Sequence, residues 1–231
     1  MARKKKIGNL TPPKTEVRPR KRVSARSSNQ KAVLRAIKNN DITICKGPAG
    51  SGKTHLSVGA GIEYLARGDV ERIVVTRPIV QAGERIGFLP GTAEEKLDPY
   101  LYPVFDEFAH FLSYSDVATM KNSKMIEVVP LALMRGRNFH NAFIIGDEMQ
   151  NATFEQLKML ITRMGIKSKL IISGDSTQSD LPKSNQGAFD FCFNELYDIQ
   201  GVSACLLEGK DIVRNPIIPL VLERLDGRES E

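Results

Sequence analysis

Residues 47–54 read Gly47-Pro48-Ala49-Gly50-Ser51-Gly52-Lys53-Thr54, the pattern G-x-x-x-x-G-K-S/T, with the apolar run Ile42-Thr43-Ile44-Cys45 just before it. A helix-permissive stretch, 53–66, follows. Strand, glycine-rich loop and helix in that order are the context in which this pattern binds phosphates. The glycines let successive backbone N–H groups turn inward around a polyphosphate, and the N-terminus of the following helix adds its positive dipole end. The whole octet, Gly47 to Thr54, is therefore expected to cradle a nucleoside triphosphate. Lys53 is expected to contact the β- and γ-phosphates, and the Thr54 hydroxyl to ligate Mg²⁺.

Working outward, Ser27 and Ser28 can cap a helix beginning near Asn29, with Ala32, Val33, Leu34, Ala36 and Ile37 as its apolar face. Ile73-Val74-Val75 reads as a short buried strand ending at Thr76-Arg77-Pro78, because proline cannot continue a central strand. Residues 79–93 read as loop. Residues 94–113 read as helical, interrupted by Pro99 and Pro103. Further strands are expected at 126–129, 142–145, 170–172 and 202–207. Helices are expected from the Thr153/Gln156 capping box to about Met164, near 186–198, and over 216–225. Short apolar strands alternating with helices predict an α/β fold: one P-loop domain with a mostly parallel sheet and helices on both faces.

Asp147 and Glu148 follow the apolar run Ala142-Phe143-Ile144-Ile145. Asp147 is placed to hold Mg²⁺ through the ion's water shell, beside Thr54, and Glu148 to orient and deprotonate an attacking water. The second acid favours hydrolysis over phosphoryl transfer, and no N-K-x-D guanine-reading pattern is present. Ser173-Gly174-Asp175-Ser176-Thr177-Gln178 ends another strand, where ligands bind in open α/β sheets. Gln178 there is either a sensor of the γ-phosphate or attacking water, or part of a simple Gly-Asp turn.

The 231 residues, 41% of them hydrophobic, suffice for one well-cored domain. The net charge of +6 is uneven: residues 1–28 hold ten Lys/Arg and one acid, Glu16. Three prolines and few large apolar residues there predict a disordered basic arm over 1–28, ahead of a folded domain over 29–225 and a short polar tail over 226–231. Such an arm suits nucleic-acid phosphates, RNA or single-stranded DNA, or serves as a solubilising extension. Cys45, Cys192 and Cys205 are scattered, as are the three histidines, so no metal cluster is assigned to them. With no apolar run of membrane-spanning length, no membrane contact is expected. The expected location is the cytoplasm, that of the host if the chain is phage-encoded.

The set Thr76-Arg77-Pro78, Asp147-Glu148 and Gly174-Asp175-x-x-Gln178 follows the order of motifs Ia, II and III in superfamily 1 helicases. More narrowly, the chain resembles the PhoH family of phosphate-starvation-inducible ATPases. The resemblance lies in Gly47–Thr54, Arg77-Pro78, Ala82-Gly83-Glu84-Arg85, Gly87-Phe88-Leu89-Pro90-Gly91, Glu95–Tyr100, Pro130 with Met134-Arg135-Gly136-Arg137, and Gly174-Asp175. It implies a RecA-like core that binds ATP. It also implies an adenine-reading role for Gln30, whose amide suits N6 and N7 of the base, although a polar first-turn residue is the plainer reading. Arg214 resembles a late-motif arginine that stabilises γ-phosphate charge. Arg135 and Arg137 suit either a phosphate surface or a solvated salt-bridge face. Position 146 is Gly, and Met149 stands where a small residue is usual.

A single core is expected to need a neighbouring subunit to close its ATP site, hence a homo-oligomer, such as a hexameric ring, with Arg214 reaching the adjacent site. Two functions remain open on the sequence. One is an ATP-driven, helicase-like motor on nucleic acid. The other is an ATP-driven switch acting on a protein partner.

Overall fold

The computed structural model describes residues 17–79 and 102–213, together with Ile217, Val221 and Arg224. Six parallel strands form one sheet: β1 Ile42–Lys46, β2 Arg72–Arg77, β3 Ile126–Pro130, β4 Ala142–Gly146, β5 Lys169–Gly174 and β6 Val202–Leu206. Their spatial order is β3-β2-β4-β5-β1-β6, with every neighbouring pair parallel. The expected α/β architecture is thus the observed one.

Strand residues alternate between two buried layers, as a sheet covered on both faces requires. Cys45, Ile73, Val75, Phe143, Ile145 and Ile171 face one core. It is completed by helices α1 Ser28–Asn39 and α2 Lys53–Arg67, by helical residues 102–109, and by α3 Tyr114–Asn122. Ile44, Val74, Ile144, Leu170 and Ile172 face the other core, against α4 Phe154–Ile161 and α5 Ala188–Glu195.

The caps lie where the sequence signals them. Ser27 accepts the Gln30 amide at the start of α1, and Thr153 and Gln156 form a reciprocal capping box at the start of α4. α4 stops at Ile161, short of the expected Met164. Phe139 draws the Arg163 carbonyl into a hydrogen bond of 2.9 Å and accepts one from Gly165 of 2.8 Å, so residues 163–165 leave the helix to meet the chain beside them. The helix α3 was not expected, although its capping box, Ser113 with Asp116, is present in the sequence.

The expected disordered arm over 1–28 also needs correction within the described residues. From Val17 onward the chain lies against the body, with Val17 and Val23 packed on the first core. The backbone N–H of Arg20 donates to Phe111 at 2.8 Å, and that of Val23 to Glu63 at 3.0 Å. Two valines and these paired amides give the segment what the charge count overlooked. The expected loop at 79–93, save Ile79, lies outside the described residues, as do the first part of the 94–113 helix and residues 226–231. Of the 216–225 helix, only Ile217, Val221 and Arg224 are described, all helical. Among the described residues, no helix is long and apolar enough to cross a membrane.

Candidate active site

In a parallel sheet all the strands end on one edge, and side chains just past those ends converge. The four central strands run β2-β4-β5-β1, so Arg77, Asp147, Ser173 and Gly47 follow one another along that edge. Register fixes the neighbours. Thr76 pairs with Gly146, and the Asp147 amide then donates to the Thr76 carbonyl at 2.9 Å. Lys46 pairs with Gly174, and the Gly47 amide donates to the Gly174 carbonyl at 3.1 Å.

The phosphate loop bends as its glycines allow. Gly50 and Gly52 both have positive φ, +79° and +91°. At Gly47 a Cβ would stand 2.7 Å from Leu207 Cβ, so the close approach of the segment after β6 also demands glycine. Lys53 is buried, its Nζ donating to the Gly47 carbonyl at 2.7 Å and the Pro48 carbonyl at 3.0 Å.

Asp147 is 1% exposed. Its Oδ1 accepts from the Thr54 hydroxyl at 3.0 Å and the Ser173 hydroxyl at 2.9 Å, while Oδ2 accepts from Arg77 Nε at 3.0 Å. A buried carboxylate persists only when it is compensated in this way. Glu148 adopts the left-handed conformation, φ 57° and ψ 37°, uncommon for a residue with a Cβ and a mark of functional turns. Its Oε1 lies 3.4 Å from Arg77 Nη2, and its Oε2 accepts from Gln150 Nε2 at 2.7 Å.

Gln150 is 5% exposed and also accepts the Asp175 amide at 3.0 Å and donates to the Gln178 carbonyl at 3.3 Å. Asp175 accepts the Ala49 amide at 3.1 Å. The contacts therefore close on themselves: Thr54, Asp147, Arg77, Glu148, Gln150, Asp175 and back to the loop at Ala49.

Pro48, Ser51 and the remaining octet residues hold the loop's shape, the Ser51 hydroxyl donating to the Pro48 carbonyl at 2.7 Å. The Gln178 side chain is exposed, and only its backbone joins the cluster. Gln30 lines the same cavity, but its amide is engaged: Nε2 donates to Ser51 O at 2.9 Å, and Oε1 accepts from Arg26 N at 2.7 Å. Arg137 sits in a surface ion pair with Glu127, N to O 2.6 Å, beside Arg72, which is the salt-bridge reading of that residue. Gly146 explains Met149: a Cβ there would come within 3.0 Å of Met149 Cε, so the small residue makes room for the large one. Arg214 lies outside the described residues, and the described neighbour Val213 donates its amide to the Gly50 carbonyl at 3.0 Å.

Sequence reasoning gave no role to Arg77, Gln150 or Ser173. Each needs the strand order to be placed, since Arg77 stands 70 positions from Asp147. Asp211, just before Val213, is buried. Burial pushes its pKa up, but hydrogen bonds from the Glu208 amide, Ser27 and Asn29 outweigh that and hold the carboxyl below its usual range. Burial drives the Cys45 thiol up to about 12, so it is no nucleophile near neutral pH.

The oxygens of Thr54 and Asp147 fit a magnesium ion. Both are hard oxygens of the kind Mg²⁺ takes directly or through its water shell, and they lie side by side, 3.0 Å apart. Beside them opens a cavity of about 530 Å³, lined by the loop from Ala49 to Thr54 and by Glu148. That volume suits a nucleotide-sized ligand.

Comparison with known proteins gives the family and the fold. The family model described as "PhoH-like protein" matches residues 22–226. The PhoH-like protein of Synechocystis is 41% identical over 208 residues, 90% of this chain and 63% of that protein. The PhoH-like protein of Bacillus subtilis is 40% identical over 206 residues, 89% of this chain and 65% of that protein. The chain thus spans less than two thirds of the length of these curated relatives. Among solved structures, the large terminase of a thermophilic bacteriophage superposes with a TM-score of 0.53, covering 86% of this chain and 50% of the terminase at 12% identity, a likeness of fold alone.

Proposed function

This chain belongs to the PhoH family, and from that premise we propose that it is a Mg²⁺-dependent ATPase that couples hydrolysis to the binding or remodelling of RNA or single-stranded DNA. Family and fold together make it a nucleotide-binding protein of the P-loop NTPase type. The observation that carries the finer reading is the closed run of contacts from Thr54 through Asp147, Arg77, Glu148, Gln150 and Asp175 to Ala49.

In this reading the inward amides of the octet cradle the phosphates. Lys53 Nζ, now resting on the loop's own carbonyls, donates to the β- and γ-phosphates. Thr54, and Asp147 through the ion's water shell, would hold Mg²⁺, which would supply positive charge against the phosphate oxygens. Glu148 orients a water and takes its proton, and Gln150 fixes the carboxylate in place. Gln178 would act as the sensor of the γ-phosphate or the attacking water through its side-chain amide, while its carbonyl accepts from Gln150. Gln30 shapes the base side of the cavity from beneath Gly52. The basic N-terminal residues supply phosphate-binding charge for a nucleic-acid strand. Free thiols, two of the three buried, suit a reducing compartment such as the cytoplasm. We also propose that copies of the chain assemble into a homo-oligomer, each closing its neighbour's cavity, with sedimentation velocity as the check.

Steady-state hydrolysis with and without single-stranded RNA and DNA, beside equilibrium ATP binding, tests the reading. Lys53→Ala should weaken ATP binding. Glu148→Gln should keep binding and lose turnover by about 10²-fold or more. Near-normal hydrolysis in Glu148→Gln removes it as the base. ATPase activity that neither polymer stimulates rejects the nucleic-acid coupling and favours a switch acting on a protein.

A further inference from the structure

Residues 17–27 run as an extended strap across the face of α2 toward the phosphate loop. Three backbone amides fix it: Arg20 to the Phe111 carbonyl at 2.8 Å, Val23 to Glu63 Oε1 at 3.0 Å, and Arg26 to Gln30 Oε1 at 2.7 Å. The seat is built into the helix. Gly59 lies in the interior of α2, where glycine costs about 1 kcal/mol relative to alanine. A Cβ at that position would stand 2.6 Å from Val23 Cβ and 2.7 Å from Phe111 Cζ. The missing side chain is the notch in which Val23 sits.

Held there, the strap brings three cations, Lys21, Arg22 and Arg26, to the wall of the cavity that the phosphate loop also lines. Lys21 Nζ lies 5.3 Å over the Phe111 ring. Arg22 and Arg26 are exposed, and among the described residues neither is paired with a carboxylate. The same wall carries two carboxylates: Glu107, bonded to His55 at 2.5 Å, and Glu148, which faces Arg77 Nη2 at 3.4 Å. Four cations of the lining, Lys21, Arg22, Arg26 and Lys53, thus face two carboxylates, an excess of positive charge around a space sized for a nucleotide rather than a polymer.

We propose that the strap is part of the nucleotide site, with Arg22 and Arg26 binding the phosphates of the nucleoside triphosphate held by the loop. The guanidinium fork matches phosphate oxygens two at a time, which a lysine cannot do. This inference rests on the ATP reading above and extends the site by a segment that precedes the first helix.

The test is calorimetric titration of ATP with Mg²⁺, and of inorganic tripolyphosphate, into the full chain without nucleic acid at two salt concentrations. The double variant Arg22→Ala/Arg26→Ala should bind ATP about 100-fold more weakly, about ten-fold for each charge-assisted hydrogen-bonding group removed. Its affinity should depend less on salt. Tripolyphosphate binding should weaken in parallel. Gly59→Ala, which crowds Val23 out of its notch, should weaken ATP binding in the same direction while far-ultraviolet circular dichroism stays that of the folded chain. Should Gly59→Ala unfold the protein, the double variant, which changes only exposed side chains, still decides. ATP affinity equal to wild type in the double variant overturns the proposal. ATP binding abolished with tripolyphosphate binding unchanged overturns the assignment to phosphates. If the unaltered chain binds no ATP, the ATPase reading falls and this inference falls with it, an outcome distinct from the other two.

Discussion

Asp147 is almost fully buried, and three side chains meet its carboxylate. Thr54 and Ser173 supply neutral donors, and Arg77 supplies the compensating charge. Breaking a buried ion pair from one side typically costs about 3–5 kcal/mol, because the remaining charge is left uncompensated. Arg77→Ala should therefore lower the chain's stability by about that amount, read as a shift in the urea unfolding midpoint. Mg²⁺ with nucleotide should recover more of the loss than it adds to wild type, since a ligand stabilises by its binding to the folded state. Equal stabilisation of the two proteins would show that Arg77 is not the counter-ion of the cluster. Arg77 was legible in the sequence only as part of Thr76-Arg77-Pro78. The proline marks the end of the strand, but nothing local says that β2 lies beside β4. Asp147 and Glu148, by contrast, were readable because a carboxylate pair at the end of an apolar strand carries its context with it. The left-handed turn at Glu148 left no trace in residue type, since a glycine there would have advertised it and a glutamate does not.

Among the elements, strands were the easiest to read and the N-terminal segment the hardest. Each central strand is a short apolar run with punctuation at or just past its end, such as Gly174 or Pro78, and both faces are buried, so periodicity was not needed. The strap defeats composition. Five of the ten bases in residues 1–28 lie in 17–27, and charge alone reads as solvated chain. What holds the segment is the pairing of Val23 with Gly59, 36 positions apart, which no local pattern displays. The division suggests two truncations. Removing residues 1–16 takes away five bases and should flatten the salt dependence of nucleic-acid binding, by fewer released counterions. Removing 1–26 also takes the strap and should lower ATP affinity as well. Filter binding of a labelled oligonucleotide over a salt series, beside ATP titration, reads both. An ATP affinity that falls equally in the two truncations would place the nucleotide-binding charge ahead of residue 17. A salt slope untouched by the shorter one would exclude residues 1–16 as the polyanion-binding element.

At the scale of the molecule, strand order does the assembly. Placing β4 and β5 between β2 and β1 brings residues 47, 77, 147 and 173 to one edge although they are spread over more than half the chain. The segment after β6 then returns to that edge. Leu207 donates its amide to the Lys46 carbonyl at 2.7 Å, Leu207 packs against Gly47, and Val213 donates to the Gly50 carbonyl at 3.0 Å. This return bears on Arg214. The sequence expectation sends that arginine to the site of a neighbouring subunit, yet the residue bonded to it is fastened to the phosphate loop of its own chain. Arg214 itself lies outside the described residues, and mixing decides between the two sites. Arg214→Ala and Glu148→Gln should each be nearly inactive, and a mixture of the two should recover some activity; none at any ratio would mean that Arg214 acts within its own subunit or is structural. Subunit exchange must be verified separately, for example by energy transfer between labelled copies. Recovery of activity in an exchanging mixture would mean that an intact base in one subunit meets an intact arginine from the next. The anchoring of Val213 would then serve to hold the loop, and the oligomer would be part of the catalytic unit.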